Sequence, residues 1–126
     1  MTDKKRLLIV EEKGSAREEY QTLLQNYFEI KTASNGETGL SLFSNDKPEV
    51  VILSSGLHGT NVSLQGKDLL GIMKSQAPQT VVVIVSASRE NERDFVRAGA
   101  DGFLKKPWSK SELLRILSEK GLITLK

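Results

Sequence analysis

The chain has no cysteine. Neither a disulfide frame nor a thiolate metal site can form, which agrees with a cytoplasmic location. Long hydrophobic runs are also missing. The longest purely apolar stretch, Val81–Val85, falls far short of the roughly 20 residues that span a bilayer. Lys4, Lys5 and Arg6 precede an apolar stretch that ends at Val10, where Glu11 and Glu12 interrupt it. No signal peptide reads that way. Charge of one sign is not in excess either: the net charge is +2, with acids and bases well mixed. No nucleic-acid binding through this domain and no membrane association are therefore expected. Gly36, Gly66, Gly71 and Gly99 form no phosphate-cradling loop, and no dinucleotide fingerprint follows the first apolar run. Internal repeats and low-complexity segments are absent as well.

What is present is the composition of an ordinary globular domain. The 126 residues, 38% hydrophobic and 27% charged, fit one domain with a core of useful size. The apolar runs Leu7–Val10, Val50–Leu53 and Val81–Val85 are short, partly β-branched and continuous, the pattern of strands buried on both faces. Weaker strands are expected at Glu29–Ala33 and Gly102–Leu104.

Between them lie helical patterns. Tyr20, Leu23, Leu24 and Tyr27 share one helical face, with Ser15 and Glu18 read as a capping box at its start. Gly39, Leu40 and Phe43 mark a second helix, Leu69, Leu70 and Met73 a third, and Phe95, Val96 and Ala98 a fourth. Ser109 and Glu112 form another capping box, opening a fifth helix with Leu113, Leu114, Ile116 and Leu117 and a stop at Gly121. Asn35-Gly36 and Ser88 are further turn or cap signals.

Five strand–helix repeats imply an α/β fold with a parallel sheet covered on both faces. Right-handed crossovers favour a flavodoxin-like three-layer sandwich with strand order 2-1-3-4-5 and a site at the carboxyl ends of the strands. Glu11-Glu12, Ser54-Ser55, Ser86-Ala87 and Lys105-Lys106-Pro107 stand at those ends. Two carboxylates there could hold a hard cation such as Mg²⁺, and a lysine and a hydroxyl could bind a phosphoryl oxygen. A solvated loop is the more frequent reason for two glutamates after a strand.

These residues resemble the receiver domain of bacterial two-component response regulators over essentially the whole chain. The resemblance is carried by Leu7–Glu12, by Pro48–Leu53, by Ser86-Ala87 and, most specifically, by Gly99–Trp108. It implies a phosphorelay module in which an aspartate after the third strand accepts a phosphoryl group with Mg²⁺ bound beside it. A face built from the fourth helix, fifth strand and fifth helix then changes partners. Carried over residue by residue, it puts Glu11 and Glu12 in the acidic pair and Ser86 at the switch hydroxyl. It puts Phe103 at the switch aromatic, Lys106 at the phosphate lysine and a cis peptide before Pro107.

The acceptor position, however, is Ser54. A serine offers a metal no charge and is a poor nucleophile without a base. Glu12 stands where aspartate is more usual, which displaces its carboxylate by one methylene from what octahedral Mg²⁺ requires. The loop from Ser55 to Gly66 is longer than the family's and made flexible by Ser55, Gly56, Gly59 and Thr60.

The expectation is therefore a pseudo-receiver: a non-enzymatic, phosphorylation-independent interaction module. No cofactor is expected beyond weak Mg²⁺ binding at Glu11 and Glu12, and Lys106 is expected to pair with one of those carboxylates. Expected partners are a sensor kinase, an output domain in a longer regulator of which residues 1–126 are the N-terminal part, or a second copy of the chain. Arg93, Arg97 and Trp108 are the candidate contact residues, and Arg89, Arg93 and Arg97 would share one helix face. The second reading keeps phosphoryl transfer, on Ser54 or Ser55, or places a small ligand in the altered pocket. His58 beside these serines suggests a base, but no third orienting group or nucleophile elbow accompanies it, so a solvated loop histidine is expected.

Overall fold

The computed structural model describes residues 4–57 and 64–125. Ten elements alternate: β1 (Lys5–Val10), α1 (Gly14–Leu24), β2 (Phe28–Ala33), α2 (Gly36–Asp46), β3 (Val50–Ser54), α3 (Gly66–Gln76), β4 (Val81–Ser86), α4 (Glu92–Arg97), β5 (Gly102–Lys105) and α5 (Lys110–Glu119). The five strands form one parallel sheet in the order β2-β1-β3-β4-β5.

The continuous apolar runs are explained by the two faces of this sheet. Leu8, Val10, Val51, Leu53, Val82 and Ile84 point to one side, where Phe43 of α2, Leu69, Leu70 and Met73 of α3 and Phe95 of α4 cover them. Their neighbours Leu7, Ile9, Val50, Ile52, Val83 and Val85 point to the other, under Tyr20 and Leu24 of α1 and Leu113 and Leu117 of α5. The buried stretches of β1, β3 and β4 alternate by one residue between two cores, which is why they are continuously apolar, whereas the edge strand β2 keeps Glu29 and Lys31 exposed.

Ser109 caps α5 by accepting from Glu112 N–H at 3.1 Å, and the Glu112 carboxylate accepts from Ser109 N–H. Gly121 follows α5 at φ +75°, the left-handed conformation that suits glycine. Asn35 caps α2 through Thr38 N–H.

The box expected at Ser15 and Glu18 does not start α1. The helix begins at Gly14, after Lys13, because the preceding loop is fixed by side chains of the site itself. Tyr27 lies beyond α1, since the chain leaves the helix after Leu24 and turns into β2. In α4, Phe95 is buried but Val96 is half exposed and Ala98 is the C-cap. Arg89 precedes α4, so the expected three-arginine helical stripe is only Arg93 and Arg97; Arg89 instead pairs with Glu92. Ser88 makes a local turn, its hydroxyl accepting from Glu90 N–H, and caps no helix.

Candidate functional site

Backbone ladders fix the carboxyl edge of the sheet one residue past several strands. Glu11 N–H donates to Ala33 O, Ser55 N–H to Val85 O, and Lys106 N–H to Ser86 O. The side chains that follow β1, β3 and β5 are thus held at defined heights above the same edge. Glu11, Glu12, Ser54, Ser55 and Lys106 line one open depression of about 230 Å³, with Lys13, Gly56 and Ala87 completing it.

Within it, Glu11 is buried and both of its carboxylate oxygens are engaged. One accepts from Lys13 N–H at 3.0 Å and the other faces Lys106 Nζ at 3.4 Å. The expected carboxylate–lysine pair is therefore made, and by Glu11. Ser54 is also buried, and its hydroxyl donates to Gly56 O at 3.3 Å. Glu12 is exposed. Arg17, which sequence reasoning passed over, reaches back from α1 and donates to the carbonyls of both Glu11 and Glu12 at 2.7 Å. That clasp, with the Glu11–Lys13 bond, holds the loop that a side-chain cap on Ser15 would otherwise have set.

The other expected residues lie around this depression rather than in it. Ser86 is half-buried at the end of β4, and its hydroxyl accepts from Ser88 N–H at 3.3 Å. Phe103, on β5, packs against the α2–α4 core with its ring 6.2 Å from Phe95. The Lys106-Pro107 peptide is cis and Pro107 is exposed. Trp108 stacks on Tyr20, ring centroids 5.2 Å apart, so it is pinned to the second core rather than projecting freely. Burial, and next the nearby Glu11 charge, push the Tyr20 phenol up from its ordinary range. Arg93 and Arg97 are exposed on α4. His58, Gly59 and Thr60 lie outside the described residues.

The described ends of the β3–α3 loop carry anchors that the sequence reading treated as flexible. Leu57 is buried in the first core, and its N–H donates to the Gln65 side chain. Gly66 starts α3 where an added Cβ would stand 2.7 Å from Ser54 O and 2.9 Å from Ser55 Cα. No side chain fits there, and this close approach sets the position of β3's end. Across the sheet, Lys74 ties α3 to β4 and the start of β5 by reaching Thr80 O and the Asp101 carboxylate. That link joins residues far apart in sequence and has no local signal.

The donor set does not suit Mg²⁺. The ion wants near-octahedral oxygen ligands with several carboxylate or water positions. Here the buried carboxylate is committed to a lysine and an amide, and the third position is a neutral hydroxyl already donating to a carbonyl. Among the described residues no group of three or more histidine, aspartate or glutamate side chains is placed to hold a metal. What the arrangement can do is hold a compact, charge-compensated edge with limited room for an anion near Lys106.

The model of the response regulator receiver domain family matches residues 7–118. The chain is 32% identical over 117 residues to the regulatory protein AtoC of Escherichia coli, covering 90% of this chain and 24% of that protein. It is 32% identical over 125 residues to a probable transcriptional regulatory protein of Picosynechococcus, covering 90% of this chain and 48% of the relative. The chain thus spans between a quarter and a half of the length of these relatives. Among solved structures, it superposes with a TM-score of 0.84 and 26% identity on a response regulator receiver domain protein from Methanospirillum hungatei, over 94% of each chain.

Proposed function

We propose, from the premise that the chain belongs to the response regulator receiver domain family, that it is a receiver that signals by binding proteins without being phosphorylated. The observation that carries this reading is at the end of β3, where the acceptor position holds a buried serine hydroxyl that donates to Gly56 O. No base to activate that hydroxyl is found within hydrogen-bonding distance among the described residues, and the neighbouring Glu11 carboxylate is neutralised by Lys106. The ion pair occupies the role that a metal and a phosphoryl group fill together in the family's chemistry. The same burial weighs against Ser54 as the target of a kinase, which leaves the half-buried Ser55 as the alternative.

In this reading the α4-β5-α5 side is the contact surface. It carries Arg93 and Arg97, with Val96 exposed between them. A sensor kinase, a second copy of the chain or an output domain is its partner; the last agrees with the greater length of the relatives. Trp108 contributes to the core through Tyr20 first and to any interface only through its open edge. No catalysis is assigned to the chain, and no helix among the described residues is long and apolar enough to cross a membrane.

A Mg²⁺ titration followed by backbone amide shifts tests the reading. The wild-type chain is expected to show no saturable response at millimolar Mg²⁺, whereas Ser54→Asp, which adds a third carboxylate to the depression, gains one at Glu11, Glu12 and position 54. A wild-type response as strong as that of Ser54→Asp would show that Ser54 is not the missing ligand.

A further inference from the structure

We infer that a second cavity, at the opposite end of the sheet, binds a small organic anion with an apolar body. It lies where the ends of α2, α3 and α5 meet the starts of β1, β3 and β4. Its volume is about 610 Å³. That is within the roughly 300–1,000 Å³ of small-molecule sites, and it is larger than the depression at the carboxyl edge. Phe43 and Leu122 supply apolar wall from α2 and from the segment after α5.

Three lysines from separate elements converge on it: Lys5, Lys47 and Lys120. None of them makes an ion pair among the described residues, whereas Lys31, Lys74, Arg89 and Lys106 all do. The one lining carboxylate, Glu49, accepts from Arg6 N–H, so it is not held by any of the three. The wall also contains Thr80, one of the few buried polar residues, whose hydroxyl donates to Pro48 O at 3.3 Å, so the donors left for an anion are the lysines.

Lys47 adds an independent observation. It terminates α2 at φ 50°, the only non-glycine with positive φ among the described residues. Glycine or asparagine is the usual choice there, because a side chain in the left-handed region is strained. A strained lysine at the rim of a cavity lined by two further lysines that make no ion pair among the described residues points to a use for its charge. The combination of apolar wall and three lining lysines selects an aryl or alkyl carboxylate, sulfonate or phosphate over a neutral or cationic molecule.

The test uses anilinonaphthalene sulfonate as the amphiphilic anion and N-phenylnaphthylamine as its uncharged counterpart. Fluorescence titration of the folded chain is expected to give saturable single-site binding of the sulfonate, weakened by added salt. Amide shifts should map it to Lys5, Lys47, Thr80 and Lys120. Lys47→Gly is expected to weaken binding roughly three- to tenfold while leaving the melting temperature equal or higher, because glycine suits the left-handed position. This separates loss of a ligand contact from loss of the fold. Equal affinity for the uncharged counterpart, unchanged affinity in Lys47→Gly, or shifts confined to the Glu11–Ser54 edge would each overturn the inference. So would binding that appears only after residues 124–126 are removed, since the cavity would then belong to the chain's own tail.

Discussion

Replacing Lys106 by methionine keeps most of its aliphatic stem and removes its charge, leaving Glu11 buried with only the Lys13 N–H for compensation. At the observed 3.4 Å, and with an effective dielectric of about 20, the Coulomb attraction is about 5 kcal/mol. Much of this is cancelled by desolvation and by exposure of the lysine, whose side chain is 36% accessible against 4% for Glu11. A net coupling of roughly 1–2 kcal/mol remains, between the surface and buried limits for ion pairs. With an unfolding entropy proportional to the 126 residues, each kcal/mol moves the melting temperature by about 4 °C. Lys106→Met should therefore melt about 4–8 °C below wild type.

A double-mutant cycle with Glu11→Gln isolates the pair, because glutamine can still accept from Lys13 N–H. The coupling should survive high salt better than that of an exposed pair, since the carboxylate is buried. Denaturant unfolding of the four variants measures it. A coupling below about 0.3 kcal/mol, or Lys106→Met melting at or above wild type, would refute the claim that this pair stabilises the site.

Two further perturbations address the frame around the site. Gly66→Ala puts a methyl group against the backbone of Ser54 and Ser55, which cannot yield as a flexible side chain would; a loss of roughly 1–3 kcal/mol in chemical denaturation is expected, and a neutral result would mean that the β3–α3 approach is looser than described. The Tyr20 phenol is raised above its ordinary value in the folded chain, so the folded state keeps a proton that the unfolded state releases above pH of about 10. Stability from this group is intact below that pH and falls above it by up to about 1.4 kcal/mol per pH unit. Unfolding measured from neutral to strongly alkaline pH should show this fall in wild type and a shallower one in Tyr20→Phe; identical slopes would contradict the shift.

The fold was legible because its signals are local and repeated. Three apolar runs and two weaker strand segments alternate with amphipathic segments, and the doubly buried strands demand apolar residues on both sides, as Leu7 to Val10 and Val81 to Val85 show. The lysine pairing at the carboxyl edge was legible from the need to compensate a buried charge, although choosing Glu11 over Glu12 required the depth that the β1 ladder imposes. What escaped depends on distant partners. The start of α1 is set by Arg17 and Glu11, not by Ser15. The brevity of α4 breaks the arginine stripe. Leu57 looks like a loop residue until the first core closes over it. The amino-edge cavity gathers Lys5, Lys47 and Lys120 from three elements that no motif connects.

The most direct measurement of the central claim is an intact mass of the purified chain after incubation with Mg²⁺ and a small-molecule phosphodonor. A receiver that works without phosphorylation is expected to keep its mass and its melting temperature unchanged. Gain of a single phosphoryl group would contradict the account, and mapping that group to Ser54, Ser55 or a carboxylate would identify the chemistry that it denies.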